Sequence, residues 1–427
     1  VNLAIVGGGP AGLRAAEVAS ESEISVTLYE GKPSVGRKFL VAGHGGLNLT
    51  HSEPLAPFST RYSGSHPEGF WTSILDDFGN DTIREWARDL GIETFVGTSG
   101  RVFPKEFKAA PLLRAWLRRI RNQGVILHTR CELQGVSRAD DRFHLSFHTK
   151  DGVMTEHHNA VILALGGASW PQTGSTAAWV PHLKDLGVAV TPFSPANCGW
   201  YVNWNPDILS KIEGSPLKNL TVLAGEKSVQ GELMITKSGL EGGALYQLGS
   251  TLRSMPNPHI ILDLKPTFSI AELSNRLINS KSNNIIKSAA KSWKLSTAAA
   301  ILLEEFSPRE AHANPLLLAE HAKRVLIPLT GPRPIAEAIS SAGGVPFTEL
   351  TGDLMVKSLP GLFLAGEMLD WEAPTGGYLL QGCFATGTRA GAGALRYLSS
   401  IVKRGHTNPI SGAQEGTLSK ANHETLA

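Results

Sequence analysis

A strand reading Leu3-Ala4-Ile5-Val6 that runs straight into Gly7-Gly8-Gly9-Pro10-Ala11-Gly12 leaves this chain few folds to choose from. An unbroken apolar run suits a strand covered on both faces, as in a parallel sheet. The glycines fit G-x-G-x-x-G at a strand-to-helix junction, the arrangement that cradles a dinucleotide. Gly7 serves the tight turn, Gly9 lets backbone approach a pyrophosphate, and Gly12 lets the helix pack on the strand. Pro10 suits the first helical turn, where its missing N–H is no loss, and with Ala11 it opens a helix whose free amides and positive dipole end favour phosphate. A second strand, Ile24 to Tyr29, ends at Glu30 and Gly31. A carboxylate at that point accepts hydrogen bonds from adenosine ribose hydroxyls and argues against a bound 2′-phosphate.

Length and charge narrow the rest. At 427 residues the chain exceeds one compact core, so two or three domains are expected. A formal charge of +2 gives no electrostatic footprint for nucleic acid, so no such partner is expected. The basic cluster Arg114, Arg118, Arg119 and Arg121 reads as a solvated helix face. Cys131, Cys198 and Cys383 show no metal-ligand or C-x-x-C spacing, so no metal site is expected. No apolar run is long enough to cross a bilayer and no signal-peptide pattern opens the chain, which together predict a cytoplasmic protein without a membrane partner. The oligomeric state is not set by these features.

Along the chain, helical periodicity covers Trp71 to Leu90 and Ala110 to Arg121, and strands near Val125–His128, Phe143–His148 and Val153–His157 suggest a small meander. Val161 to Leu165 is another buried-type strand, ending in Gly166-Gly167. The texture then changes. Residues 191–267 read as β-rich and 268–327 as helical, before α/β character returns at 328–403. This predicts an α/β fold: a discontinuous Rossmann-type domain from 1–190 and 328–403, an inserted domain at 191–327, and a polar, mobile tail at 404–427.

A second glycine-rich segment, Gly36-Arg37-Lys38-Phe39-Leu40-Val41-Ala42-Gly43-His44-Gly45-Gly46-Leu47-Asn48, follows the first nucleotide unit at once. Near-bare backbone can lie along an extended cofactor, with Arg37 and Lys38 meeting its phosphates. With this stretch through His51, with Ser99-Gly100-Arg101-Val102-Phe103-Pro104, with Ala164 to Ser175, Gly239 to Tyr246 and Ala365 to Gly382, the chain resembles the BaiN/YhiN-like flavoproteins over most of residues 1–400. Many of these carry Arg-Cys-Asn where this chain has Gly46-Leu47-Asn48, so no chemistry of that cysteine carries over. The resemblance implies FAD on a discontinuous domain with β-rich and helical insertions. It implies that Gly43, Gly45, Gly46 and Asn48 lie along the cofactor, as does Gly166.

The C-terminal half closes the expected site. Phe363-Leu364-Ala365 is a strand ending in Gly366-Glu367, and by resemblance Glu367 meets a ribityl hydroxyl, with Asp370 a second candidate. Gly376 and Gly377 precede Tyr378 and a helix, whose N-terminus would stabilise charge developing on a reduced flavin. Trp170, Trp371, Tyr378 and Gln381 are candidates for the substrate face, and His44 for a proton donor. The expected activity is an FAD-dependent oxidoreductase acting on a small organic molecule. Two half-reactions stay open: an oxidase of an amine-like substrate with oxygen as acceptor, and a reductase of an unsaturated substrate with NAD(P)H as transient donor. No second glycine fingerprint marks a dedicated NAD(P)H domain. The alternatives are a flavin-binding module without turnover, redox-sensing or RNA-associated, and a protein that binds NAD alone.

Overall fold

The structure, a computed structural model, describes residues 1–278 and 284–406, so most of the tail expected to be mobile lies outside the described residues. Five parallel strands form the central sheet in the order Leu362–Leu364, Ala160–Leu163, Asn2–Val6, Ser25–Glu30 and Ile126–Thr129. Val6 stands opposite Leu163 on one side and Tyr29 on the other, and Leu163 opposite Leu364. The register therefore brings strand ends from early, middle and late sequence to one level. This edge is where open α/β sheets hold their ligands. Leu3, Ala4, Ile5 and Ala160 to Ile162 are fully buried, as their uninterrupted apolar runs require.

The helix Pro10–Ala19 leaves the glycine turn and packs on the long C-terminal helix Tyr378–His406. Their backbones nearly touch: a Cβ on Gly387 would lie 2.3 Å from the Ala11 carbonyl oxygen, and one on Gly391 would lie 2.9 Å from that of Ala15. Glycines one helical turn apart make that seam. The C-terminal helix continues to His406, past the expected domain end at 403.

Four local expectations need correction. The single helix from Trp71 to Leu90 is two, Phe70–Asp77 and Asn80–Asp89, because Gly79 adopts an extended conformation and caps the second. Ile126–Thr129 joins the parallel sheet rather than the meander, which is built from Glu132–Ala139, Arg142–Thr149 and Gly152–His158. The Glu132–Ala139 strand escapes pattern reading because a register shift at Leu133–Gly135 breaks its alternation. Arg119 is not on a solvated face: it donates to Glu17, a carboxylate only 2% exposed.

A seven-stranded antiparallel sheet carries the inserted region, in the order Val325–Pro328, His259–Asp263, Pro216–Ala224, Lys227–Thr236, Gly239–Glu241, Trp200–Tyr201 and Gly331–Pro332. The helices Ile270–Ile278, Ile285–Ser292, Thr297–Phe306 and Pro315–Lys323 contribute to its own apolar core. That core gathers residues between Trp200 and Leu329, whereas the core under the parallel sheet gathers Leu3 to Val188 and Val345 to Leu398. The chain crosses between them through paired strands Thr191–Ala196 and Ser340–Gly344. Arg253 clamps the crossing, with both Glu372 oxygens at 2.6 Å and the Pro195 carbonyl at 2.9 Å.

Candidate functional site

An open cleft lies over the ends of the parallel strands, where sheets of this kind hold their ligands. Gly7, Gly9, Pro10, Ala11, Glu30, Gly31, Arg37 and Lys38 line it from the start of the chain, Gly166 from the middle, and Gly366 and Glu367 from the end. Gly7 turns the chain at φ +110°, so close beneath Ala164 that a Cβ would lie 2.2 Å from its carbonyl oxygen. Around Gly9, by contrast, nothing lies within 4 Å of where a Cβ would stand. Its bareness leaves room in the cleft instead of relieving a clash.

The Glu30 carboxylate accepts the Gly8 amide at 2.8 Å and the Lys32 amide at 2.7 Å. Burial pushes this carboxyl above the usual carboxylate range, against the opposing pull of those two amides. At the other end the Lys38 ammonium donates to Glu367 Oε2 at 2.7 Å and to Ser169 Oγ at 2.8 Å, tying three distant segments together. Lys38 is thus engaged by a carboxylate, where the sequence suggested a phosphate contact. Ser175, also in the lining, has a buried hydroxyl with no partner among the described residues. An unpaired buried hydroxyl beside a bare glycine cradle is what a site for a polar ligand leaves when seen alone.

The other expected residues lie outside this lining. Gly12 sits under the turn, packed on the Gly7 carbonyl. Gly43 and Gly46 pack along Phe107–Ala109, with the Leu47 amide bonded to the Phe107 carbonyl at 2.8 Å. His44 and Gly45 are exposed on the same loop. Asn48 Oδ1 is buried without a partner among the described residues. Asp370 accepts from Thr191 Oγ1 at 3.2 Å, away from the cleft.

Gly376, Gly377 and Tyr378 form a second group, with Gly377 pressed onto the backbone of Thr50. The Tyr378 hydroxyl donates to Glu53 at 2.7 Å, and Arg61 grips the same carboxylate through Nε at 3.0 Å and Nη2 at 2.8 Å. The His51 ring stacks on Tyr378 with centroids 5.4 Å apart. Burial works to raise the Glu53 carboxyl, but the hydrogen bonds from Arg61 and Tyr378 outweigh it and hold the carboxyl below its usual range. Burial and then the Glu53 hydrogen bond push the Tyr378 phenol up, so it stays protonated.

Two expected substrate-face residues are core residues instead. Gln381 is fully buried, donating to the Phe78 carbonyl at 2.6 Å and accepting from Thr50 Oγ1 at 2.8 Å. Trp371 bonds the Gly366 carbonyl at 2.9 Å, and its ring packs with Tyr62 and Trp71. Each polar handle is satisfied internally, so neither is left to meet a substrate.

The model of the HI0933-like protein Rossmann domain matches residues 1–393. The chain belongs to the HI0933-like family. This is an FAD/Rossmann family, in keeping with a cleft built on the first glycine turn. Among curated proteins the HI0933-like chain is similar to the 3-dehydro-bile acid delta(4,6)-reductase of Clostridium scindens, 26% identical over 92% of this chain and 98% of that one. It is also similar to the ribosomal RNA dihydrouridine synthase of Haemophilus influenzae, 24% identical over 88% of this chain and 94% of that one. In fold it resembles the 3-ketosteroid-delta4-(5alpha)-dehydrogenase of Rhodococcus jostii RHA1, with TM-score 0.51 and 16% identity over 92% of this chain and 96% of that one. The 3-ketosteroid delta1-dehydrogenase of Sterolibacterium denitrificans gives TM-score 0.52 and 12% identity over 92% and 99% of the two chains.

Sequence reasoning missed Ser175, Glu53, Arg61 and His51. Ser175 stands in a stretch that carried the family resemblance, and its position after Gly174 at a glycine turn was the available signal. Nothing local marks Glu53 and Arg61, because their meeting depends on a fold around Tyr378, 325 residues from Glu53.

Proposed function

We propose that this HI0933-like chain binds FAD in the cleft and reduces a carbon–carbon double bond conjugated to a carbonyl, with NAD(P)H as transient donor. The observation that carries the reading is a single cleft lined from both ends of the chain, with open space at Gly9 and a half-buried acceptor at Glu30. The residues present fit the cofactor. Backbone from Gly7 to Ala11, at a helix N-terminus, suits the pyrophosphate. Glu30 and Gly31 suit the adenosine ribose, and Arg37 a phosphate oxygen. The Ser175 hydroxyl, unpartnered among the described residues, supplies further donor and acceptor capacity. Glu367, held by Lys38, which also donates to Ser169, is fixed for a hydroxyl of the linking chain.

When bound, the flavin would supply hydride transfer, which no side chain of this protein can perform. The protein's own part is orientation and charge. The Lys38–Glu367 pair fixes two elements that meet at the cleft, and the Tyr378–Glu53–Arg61 array holds a phenol proton at one defined oxygen. The names of the two curated relatives favour reduction over oxidase chemistry: one is a delta(4,6)-reductase, and a dihydrouridine synthase saturates a ring double bond next to a carbonyl. The near-zero formal charge of +2 favours a small molecule over a nucleic acid.

The test is anaerobic. NADPH or NADH should bleach the bound flavin, and a cyclic enone should restore its colour faster than air does. A flavin that neither nucleotide bleaches, or that only oxygen reoxidises, would sink the reductase reading and favour an oxidase or a module without turnover.

A further inference from the structure

The three-stranded meander turns a row of histidines away from the core. Along Arg142–Thr149 the residues Phe143, Leu145 and Phe147 are buried, so His144, Ser146 and His148 take the opposite face, as strand alternation requires. His157 of Gly152–His158 stands directly opposite His144, and Ser137 of Glu132–Ala139 stands opposite it on the other side. The central strand thus holds His144 between a second histidine and a small residue. The His144 and His157 rings lie 4.3 Å apart between centroids, with their planes at 86°. His144 is half-buried and His157 exposed, and neither ring has a hydrogen-bond partner among the described residues.

Two unpaired imidazoles at this separation have the spacing of a chelate. A first-row divalent ion sits about 2.0–2.1 Å from a ring nitrogen, hence about 3.2 Å from the centre of the ring. Rings whose centres are 4.3 Å apart then subtend about 85° at the ion. That is the angle between neighbouring ligands of a tetragonal ion, Cu(II) or Ni(II), and is narrower than the tetrahedral angle that Zn(II) takes. The torsion that aims each imidazole is broad, so one nitrogen of each ring can turn to a common point. The backbone beneath is already fixed: the His157 carbonyl accepts from Asn2 and from Arg142 at 3.0 Å each. No group of three or more His, Cys, Asp or Glu side chains among the described residues could hold a metal ion, so water fills the remaining positions, with room left by Ser137. Spacing along the chain gives no sign of such a site, because its two ligands meet only across a strand pair.

We propose that His144 and His157 form a two-histidine binding site for a tetragonal divalent ion, Cu(II) or Ni(II). The ion joins the central and outer strands of the meander, whose first strand carries Glu132 and Leu133 into the lining of the cleft. The site depends neither on the reductase reading nor on FAD.

The experiment titrates the full chain, free of any affinity tag, with NiCl2 by calorimetry and with CuCl2 by electron paramagnetic resonance. One Ni(II) per chain should bind, with Zn(II) weaker and Mg(II) not bound. His144→Gln and His157→Gln should each weaken Ni(II) about tenfold or more, because a lone imidazole loses the chelate. His148→Gln, on the same face but opposite Glu132 and Val153, should change it by less than about twofold. The Cu(II) spectrum should carry nitrogen couplings from two imidazoles in the wild type and from one in either single variant. Ni(II) should also raise the melting temperature of the wild type and leave those of the two variants unmoved. No saturable Ni(II) binding by the wild type, wild-type affinity in either variant, an equal loss in His148→Gln, or Zn(II) held more tightly than Ni(II) would each overturn the proposal.

Discussion

Replacing Glu17 with glutamine should destabilise the nucleotide-binding part of the molecule far more than its isosteric shape suggests. Glu17 lies on the first helix, 2% exposed, and accepts from four side chains. Oε2 takes Arg14 at 2.7 Å and the indoles of Trp86 and Trp116 at 3.0 Å each, while Oε1 takes Arg119 at 3.1 Å. An amide keeps one oxygen, best placed at Oε2, and then turns an NH2 group toward the Arg119 guanidinium. One charge-assisted bond is lost, worth about 1.5–3 kcal/mol. The three remaining bonds fall from an ionised to a neutral acceptor, which roughly halves each. The sum is about 4–7 kcal/mol, at or above the range for removing one partner of a buried ion pair. Urea unfolding of the apo-protein, followed by circular dichroism, measures it. With two separate cores, two transitions are expected, and the loss should fall on the one that saturating FAD raises. A loss below about 1 kcal/mol, or one confined to the other transition, would refute the view that Glu17 anchors this helix.

Other expectations follow from single contacts. Gly387→Val would drive a side chain into the Ala11 carbonyl, 2.3 Å from the Cβ position, and should cost about 3 kcal/mol or more in the same urea assay. Glu30→Ala strips the acceptor from two amides and from the expected ribose, so FAD affinity measured by fluorescence quenching should fall about ten- to a hundredfold. His158, buried against Tyr29, has its pKa lowered from 6.5 to about 4 by burial first and then by Arg142 and His157. The unfolded chain then binds a proton that the folded one refuses, so stability should be lost as pH falls from about 6.5 toward 4. His158→Gln should flatten that part of a urea-midpoint profile, and an unchanged slope would contradict the assignment.

The parts of the fold that local pattern controls were readable in the sequence. Leu3–Val6 and Phe363–Ala365 are buried on both faces, so their apolar runs carry the strand signal without help from the rest of the chain. The glycine turn announces itself because its geometry depends on residues a few positions apart. What escaped reading depends on distant partners. Gln381 and Trp371 sit in a stretch that resembles a flavin contact, yet Phe78, Thr50 and the Gly366 carbonyl claim their polar atoms. His44 has the right chemistry for a proton donor, but the loop that carries it packs along Phe107–Ala109 and leaves it exposed. The Arg119 cation looked solvated because the carboxylate that buries it lies 102 residues away on another helix.

The claim on which the account turns is that the two ends of the chain build one FAD site. Titrating FAD into the apo-protein, its Gly9→Leu variant and its Glu367→Leu variant, and reading the quenching of flavin fluorescence, tests it directly. Leucine at Gly9 meets no protein atom within 4 Å of its Cβ, so the fold should survive while the cleft is filled. The prediction is saturation at one FAD per wild-type chain and a large loss of affinity from either substitution. Saturable binding that either variant retains at wild-type strength would contradict a shared site.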